Sequence, residues 1–288
     1  MRRHVLGVVI GLTGTAARPA SLAAQAPVPP ATIYRSERRD VGIASAADSS
    51  PRVLSVALPN TYGDSATKRY PVVYVLDGDG MFGMTSDIER LLAFGRELPE
   101  LIVVGVGHGR PFLETPPFRW RNFTPTPVAT HPGSGHASEL LSYLAREVVP
   151  LVDSLYRTVP GDRALLGVSR GGLFALYAMY ERPELFPRLV VASPEVTWDD
   201  KYLFRRDSAF AASKRPLPVT LYLSVGGAEI ARPFGAAVKA FADRLVARKY
   251  ARVHLWSEML AGESHNSMPG TAITHGLKAV FHDSLDVH

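Results

Sequence analysis

Residues 164–180, ALLGVSRGGLFALYAMY, read as a buried strand, a sharp bend and a helix, with a serine at the bend. ALLGV is almost continuously apolar, as a strand covered on both faces is. GGLFALYAMY continues as an apolar helical run. Between them Gly167-Val168-Ser169-Arg170-Gly171 fits G-x-S-x-G, the strand-to-helix turn that lifts a serine hydroxyl clear of the sheet. Gly167 and Gly171 let strand and helix pass closely around the turn, and Gly172 removes bulk where the helix meets the sheet. Ser169 is therefore the candidate nucleophile. The Arg170 amide, at the helix N-terminus, is placed to face a developing oxyanion.

On either side of this turn, strand and helix patterns alternate. Residues 70–77 (YPVVYVLD) and 101–106 (LIVVGV) are β-branched runs of the buried kind, and similar ones recur at 189–192, 219–225 and 253–256. Residues 53–59 (VLSVALP) predict a further strand, with a partner near 33–43. Helical patterns fall at 86–96, 138–156, 234–249 and 271–281. In the second of these Pro150 should kink or split the helix. The alternation predicts an α/β fold, a mostly parallel central sheet with helices on both faces. Residues 108–135 are read as one irregular loop. Its aromatics Phe112, Phe118, Trp120 and Phe123 either line a substrate cleft or anchor the loop.

A serine at such a turn needs a base, and the histidine of this architecture comes last in the chain. His265, in GESHNSMPG after the apparent last strand, fits that place. His275 and His282 fall on the final helix, His254 in a strand, and His108, His131 and His136 ahead of the serine. An orienting acid should lie between nucleophile and base, on the turn after a strand. Glu229 in LYLSVGGAE meets the requirement, with Asp199, Asp200, Asp243, Glu258 and Glu263 as competitors. A second oxyanion donor is expected after YVLDGDG: the Asp79 amide, with Gly78 permitting close approach.

The N-terminus reads as an export signal. Arg2 and Arg3 precede an uncharged stretch, 5–17, too short to span a bilayer, and Ala24-Gln25-Ala26 is a small-x-small cleavage pattern. This predicts a signal peptide at 1–26, one catalytic domain at 27–288, and a mature protein in the bacterial periplasm or medium, without a membrane anchor. Removing the signal lowers 32 basic residues to 29 against 27 acidic, and these are interspersed, so a nucleic-acid partner has no support. The chain has no cysteine, which excludes disulfides and a thiol nucleophile. Nucleotide-binding G-x-G-x-x-G and HExxH metal motifs are missing too, so neither a cofactor nor a metal is expected. His131 and His136, in HPGSGH, are read as a solvated loop.

Together EVVPLVDSLYRTVPGDRALLGVSRGGLFALYAMYERPELFPRLVVASPEVTW, YPVVYVLDGDGMF, RNFTPT and GESHNSMPG resemble the putative-esterase family of α/β-hydrolases. That family includes ferric-siderophore esterases, feruloyl and acetyl esterases, S-formylglutathione hydrolases and mycolyltransferases. The resemblance implies Ser169 as nucleophile and His265 as base. It supports Glu229 less firmly, because members similar to the siderophore esterases work with a weak or absent acid. The implied activity is hydrolysis of a small-molecule carboxylic ester through an acyl-enzyme, closest in kind to the siderophore esterases. The alternatives are a feruloyl or acetyl carbohydrate esterase, an acyltransferase on the same fold, and a non-catalytic binding module. Two positions depart from the family: Arg170 where an apolar residue is common, and Glu195 where serine usually follows Ser-Pro. The Arg170 side chain is expected at the site's rim, either offered to an anionic ester or held in a surface ion pair with an acid such as Glu195.

Overall fold

Eight strands and eight α-helices alternate along the described residues, 36–41 and 52–282, of a computed structural model. The expected signal peptide lies outside the described residues. The strands are β1 (Ser36–Val41), β2 (Arg52–Ala57), β3 (Tyr70–Leu76), β4 (Ile102–Gly107), β5 (Thr158–Val168), β6 (Arg188–Ala192), β7 (Val219–Gly226) and β8 (Val253–Leu260). They form one sheet in the order β1-β2-β4-β3-β5-β6-β7-β8. β2 runs antiparallel to both its neighbours, and every other pairing is parallel. The helices are α1 (Gly78–Phe94), α2 (Pro116–Phe123), α3 (Ala137–Tyr143), α4 (Val149–Leu155), α5 (Arg170–Glu181), α6 (Trp198–Ala212), α7 (Pro233–Arg248) and α8 (Pro269–Phe281).

The two-residue period of a strand divides the sheet between two cores. Along β3, Tyr70, Val72, Tyr74 and Leu76 join the larger core with Phe174 of α5, Phe210 of α6 and Phe241 of α7. Val73 and Val75 join the smaller one, under Leu92 of α1 and Ile273, Leu277 and Phe281 of α8. Each such side chain contributes roughly 1.5–3 kcal/mol by leaving water. The continuous apolar runs are thus explained by helices on both faces of the sheet. Among the described residues no helix is long and apolar enough to cross a membrane.

Three helical readings change and one holds. The helix expected at 86–96 begins at Gly78, because packing on β4 overrides the poor helix propensity of Gly-Asp-Gly. Residues 198–212 were not expected to be helical; charged side chains interrupt their apolar stripe, and Asp199, Asp200 and Lys201 have positive φ. The supposed loop 108–135 contains a 3₁₀ turn, Phe112–Glu114, and the helix α2, which opens on two prolines where their missing N–H groups cost nothing. Pro150 does split its helix. A π segment, Leu144–Val148, separates α3 from α4, since Pro150 has no N–H for the Arg146 carbonyl.

Candidate active site

Ser169 sits between β5 and α5 with φ 58° and ψ −115°, a conformation that an L-residue keeps only when its surroundings impose it. The imposition is visible. Ser169 N donates to Ala192 O at 2.9 Å, and Glu195 N donates to Ser169 O at 3.0 Å, tying the bend to the end of β6. A Cβ on Gly167 would stand 2.2 Å from Gly171 O, so the strand can pass this close to the helix only as glycine. Gly171 itself contributes backbone rather than space, since a Cβ there meets nothing nearer than 3.4 Å.

The other two candidates come from the ends of neighbouring strands. Glu229 closes a 3₁₀ turn, Gly227–Glu229, directly after β7. His265 lies on the loop between β8 and α8, with Nδ1 2.7 Å from Glu229 Oε1. Glu229 Oε2 accepts from Ser193 Oγ at 2.5 Å and from Gly226 N at 3.0 Å. With both oxygens engaged the carboxylate cannot swing, so the imidazole it holds is fixed with Nδ1 protonated and Nε2 available as a base. Burial differs sharply across the pair: the Glu229 side chain is 7% exposed and that of His265 37%. Ser169, Glu229 and His265 line one cavity of about 410 Å³, together with Glu195, Arg232, Phe234 and Asn266. No hydrogen bond joins Ser169 to His265 among the described residues, and such contacts commonly tighten only when substrate binds.

Each competing acid is engaged elsewhere. Glu263 accepts from Ser267 and Thr271, and Glu258 from Tyr222 and His275. Asp243 pairs with Lys239, and Asp199 and Asp200 with Arg205. The histidines ahead of Ser169 among the described residues have partners of their own. His108 is stacked on Phe118, His131 packs against Trp120 and Trp198, and His136 bonds Glu139. Among the described residues no three metal-ligating side chains converge.

The oxyanion candidates are both first-turn amides, which have no intrahelical acceptor. Arg170 N opens α5, and Asp79 N belongs to the first turn of α1. A Cβ on Gly78 would stand 2.7 Å from the carbonyl carbon of Gly105, which fits the close approach expected there. The Asp79 carboxylate is committed to structure, accepting from His108 N and Gly109 N. Asp77 is buried and paired in bidentate fashion with Arg119 of α2, Nε to Oδ1 at 2.7 Å and Nη2 to Oδ2 at 3.0 Å. That pair fastens α2 to the turn that carries Asp79.

The Arg170 side chain is not held in the surface ion pair that was one of its two expected roles. Its guanidinium lies 5.5 Å from the centroid of the Trp120 ring, and Nε is buried without a hydrogen-bond partner. It forms no ion pair with Glu195. Burial, then the neighbouring Arg119, lower its pKa. Of the four aromatics, Phe123 is an anchor, buried 5.9 Å from Phe174, whereas Trp120 stands beside the Ser169 turn through Arg170. Reading the residues missed Ser193 and Arg119. Ser193 simply follows β6, and Arg119 is one arginine among many, so neither carries a pattern that sequence alone singles out.

A sheet of this order, with a strained serine after β5, a carboxylate after β7 and a histidine after β8, defines the class as an α/β-hydrolase. The chain belongs to the putative-esterase family, whose model, described as "Putative esterase", matches residues 45–259. It is a carboxylic-ester hydrolase. The chain is similar to the ferri-bacillibactin esterase BesA of Bacillus subtilis, 24% identical over 239 residues that cover 74% of this chain and 79% of that protein. It is 28% identical over 273 residues to the siderophore enterobactin esterase of Emericella nidulans, covering 79% and 88%. The fold of the siderophore hydrolase EstA from Aspergillus nidulans matches with a TM-score of 0.78 at 23% identity, over 92% of this chain and 99% of that one.

Proposed function

We propose that the chain is an exported serine esterase that hydrolyses siderophore-type esters through an acyl-enzyme. The carrying observation is the Glu229–His265 contact at 2.7 Å in the cavity that Ser169 also lines. Ser169 Oγ attacks the ester carbonyl carbon while His265 Nε2 takes its proton. Glu229, buried and already fixed by Ser193 and Gly226, stabilises the imidazolium that forms. The negative charge moves to the former carbonyl oxygen, where the Asp79 and Arg170 amides meet it; one such donor is worth roughly 10²–10³ in rate. Collapse breaks the bond to the alcohol oxygen, which leaves with the proton from His265. Water, deprotonated by the same nitrogen, then attacks the acyl-Ser169 carbonyl and regenerates the serine. Each step uses side chains and amides of this chain alone.

The siderophore assignment rests on the names of the relatives, among them a ferri-bacillibactin esterase and a siderophore enterobactin esterase. Export rests on Arg2, Arg3 and Ala24-Gln25-Ala26. The test is covalent labelling. A fluorophosphonate should add to Ser169, as located by peptide mass spectrometry, and abolish opening of a tri-ester siderophore in proportion to the label. Labelling elsewhere, or siderophore opening that survives complete labelling, would overturn the reading.

A further inference from the structure

β8 is the last strand of the sheet, and among the described residues nothing pairs with its outer edge. Such an edge carries unpaired N–H and C=O groups, and proteins that remain monomeric blunt it with short strands, proline, charged side chains, above all lysine, or a bulge. Of these β8 has a single acid, Glu258, whose carboxylate is engaged by Tyr222 and His275. VHLWSEML runs in unbroken register with β7 from Val253 to Leu260, longer than the ~5–6 residues usual for a strand. Its exposed side chains include two large apolar ones, Trp256 at 39% and Met259 at 56%.

We propose that β8 pairs antiparallel with β8 of a second copy about a two-fold axis at Trp256, continuing the sheet across a homodimer. Identical strands paired about a two-fold axis must bring one residue opposite its own copy, so the register is a choice among few. With the axis at Trp256, the two indoles face each other and Val253 lies opposite Met259. His254 then stands opposite Glu258 of the second copy, on the same face as Trp256 because side chains alternate. An axis at Leu255 sets His254 against Trp256, and one at Ser257 sets Trp256 against Glu258. Only the Trp256 axis places the histidine opposite the acid.

The side chains are prepared for that arrangement. Tyr222 Oη donates to Glu258 Oε2 at 2.6 Å and His275 Nδ1 lies 3.0 Å from the same oxygen, holding the carboxylate in place. Trp256, Glu258, Tyr222, His275 and Lys278 border a cleft of about 370 Å³ between β8 and α8, which gives the paired indoles somewhere to pack. His254 is exposed. An isologous interface of this kind uses one surface twice, and this surface complements itself in both charge and apolar contact.

Sedimentation velocity of the purified chain tests it. Wild type should shift from monomer to dimer between about 1 and 100 µM, the range expected of a modest interface. Trp256→Lys should remain monomeric throughout while hydrolysing a neutral short-chain ester at the wild-type rate per site, which shows that the variant is folded. His254→Glu should raise the dimer Kd about tenfold at low salt by placing like charges opposite each other, whereas His254→Lys should not. A wild-type chain that stays monomeric overturns the proposal and leaves the edge to some other partner. A dimer that survives Trp256→Lys, or that responds equally to Glu and Lys at position 254, overturns it as well.

Discussion

His265 Nδ1 lies 2.7 Å from a Glu229 oxygen whose twin is held by Ser193 and the Gly226 amide. The carboxylate is thus positioned by three groups, only one of which is His265. Glu229→Gln keeps the shape and removes the charge that stabilises an imidazolium present only along the reaction. kcat should fall about 10³–10⁴-fold with KM little changed. Glu263→Gln, whose carboxylate accepts from Ser267, and Asp200→Asn, whose side chain is fully exposed, should stay near wild type. Steady-state kinetics on one ester decide it. A crippled Glu263→Gln would move the acid, and three active variants would reduce the site to a Ser-His dyad.

The conformation of Ser169 predicts a trade between activity and stability. At φ 58° and ψ −115° a side chain is strained, by about 1–3 kcal/mol, and glycine is not. Ser169→Gly should lose at least ~10³-fold in kcat/KM yet unfold at higher denaturant than wild type, by about 1 kcal/mol. Ser169→Ala should be equally inactive without that gain. Urea titration of the three proteins gives the comparison, and equal stability of the Gly and Ala variants would mean the turn is relaxed.

Glu89 of α1 is buried, with Oε1 accepting from Leu101 N at 2.8 Å. Burial pushes its carboxyl up to about 7 from 4.5. Between those values the folded chain binds a proton that the unfolded chain does not, so the group's contribution to stability is present at low pH and is lost as pH rises through 7. Glu89→Gln keeps an acceptor for Leu101 N and cannot ionise. The variant should therefore exceed wild type by about 1–3 kcal/mol at pH ~8, with the gap closing by about pH 5. Denaturant unfolding at both values checks it; a gap independent of pH would exclude ionisation as its cause.

How far these features could be read in the sequence depends on the range of the interaction that makes them. The nucleophile turn is local: apolar ALLGV, the glycines and the apolar helix act within a dozen or so residues, and that text specified it. The two-core sheet was also legible, because strands covered on both faces must be apolar at every position. α6 was not, since its charged side chains are met by partners distant in the chain: Arg206 bonds Glu181, and Asp207 bonds Arg244, Arg248 and Tyr250. Ser193 and the Asp77–Arg119 pair escaped for the same reason. Their roles come from meeting residues tens of positions away, and no spacing rule connects them. Glu229 could be narrowed from six acids only by where strands end, and the competitors drop out once their own partners are seen.

Arg170 is the last test, because it couples the departure from the family to a measurable selectivity. Its guanidinium lies over the Trp120 ring beside Ser169, with Nε buried and without a partner among the described residues, and burial and Arg119 both weaken its hold on its proton. A buried donor without an acceptor costs about 1–3 kcal/mol, so the arrangement is retained at the expense of stability unless a ligand supplies the acceptor. A substrate carrying a carboxylate or phenolate oxygen would supply it, in a planar, multi-donor geometry. Arg170→Leu removes the guanidinium and leaves the backbone amide in place. Hydrolysis of a neutral short-chain ester should therefore be nearly unchanged, while an ester with an anionic group near its carbonyl should lose roughly tenfold in kcat/KM. Because the guanidinium is half-buried, added salt should trim that difference without removing it. The thermal midpoint of Arg170→Leu should not fall, since the leucine leaves no unsatisfied donor behind. Equal kinetic losses on both esters together with a lower midpoint would mean that Arg170 props up the turn and takes no part in choosing the substrate.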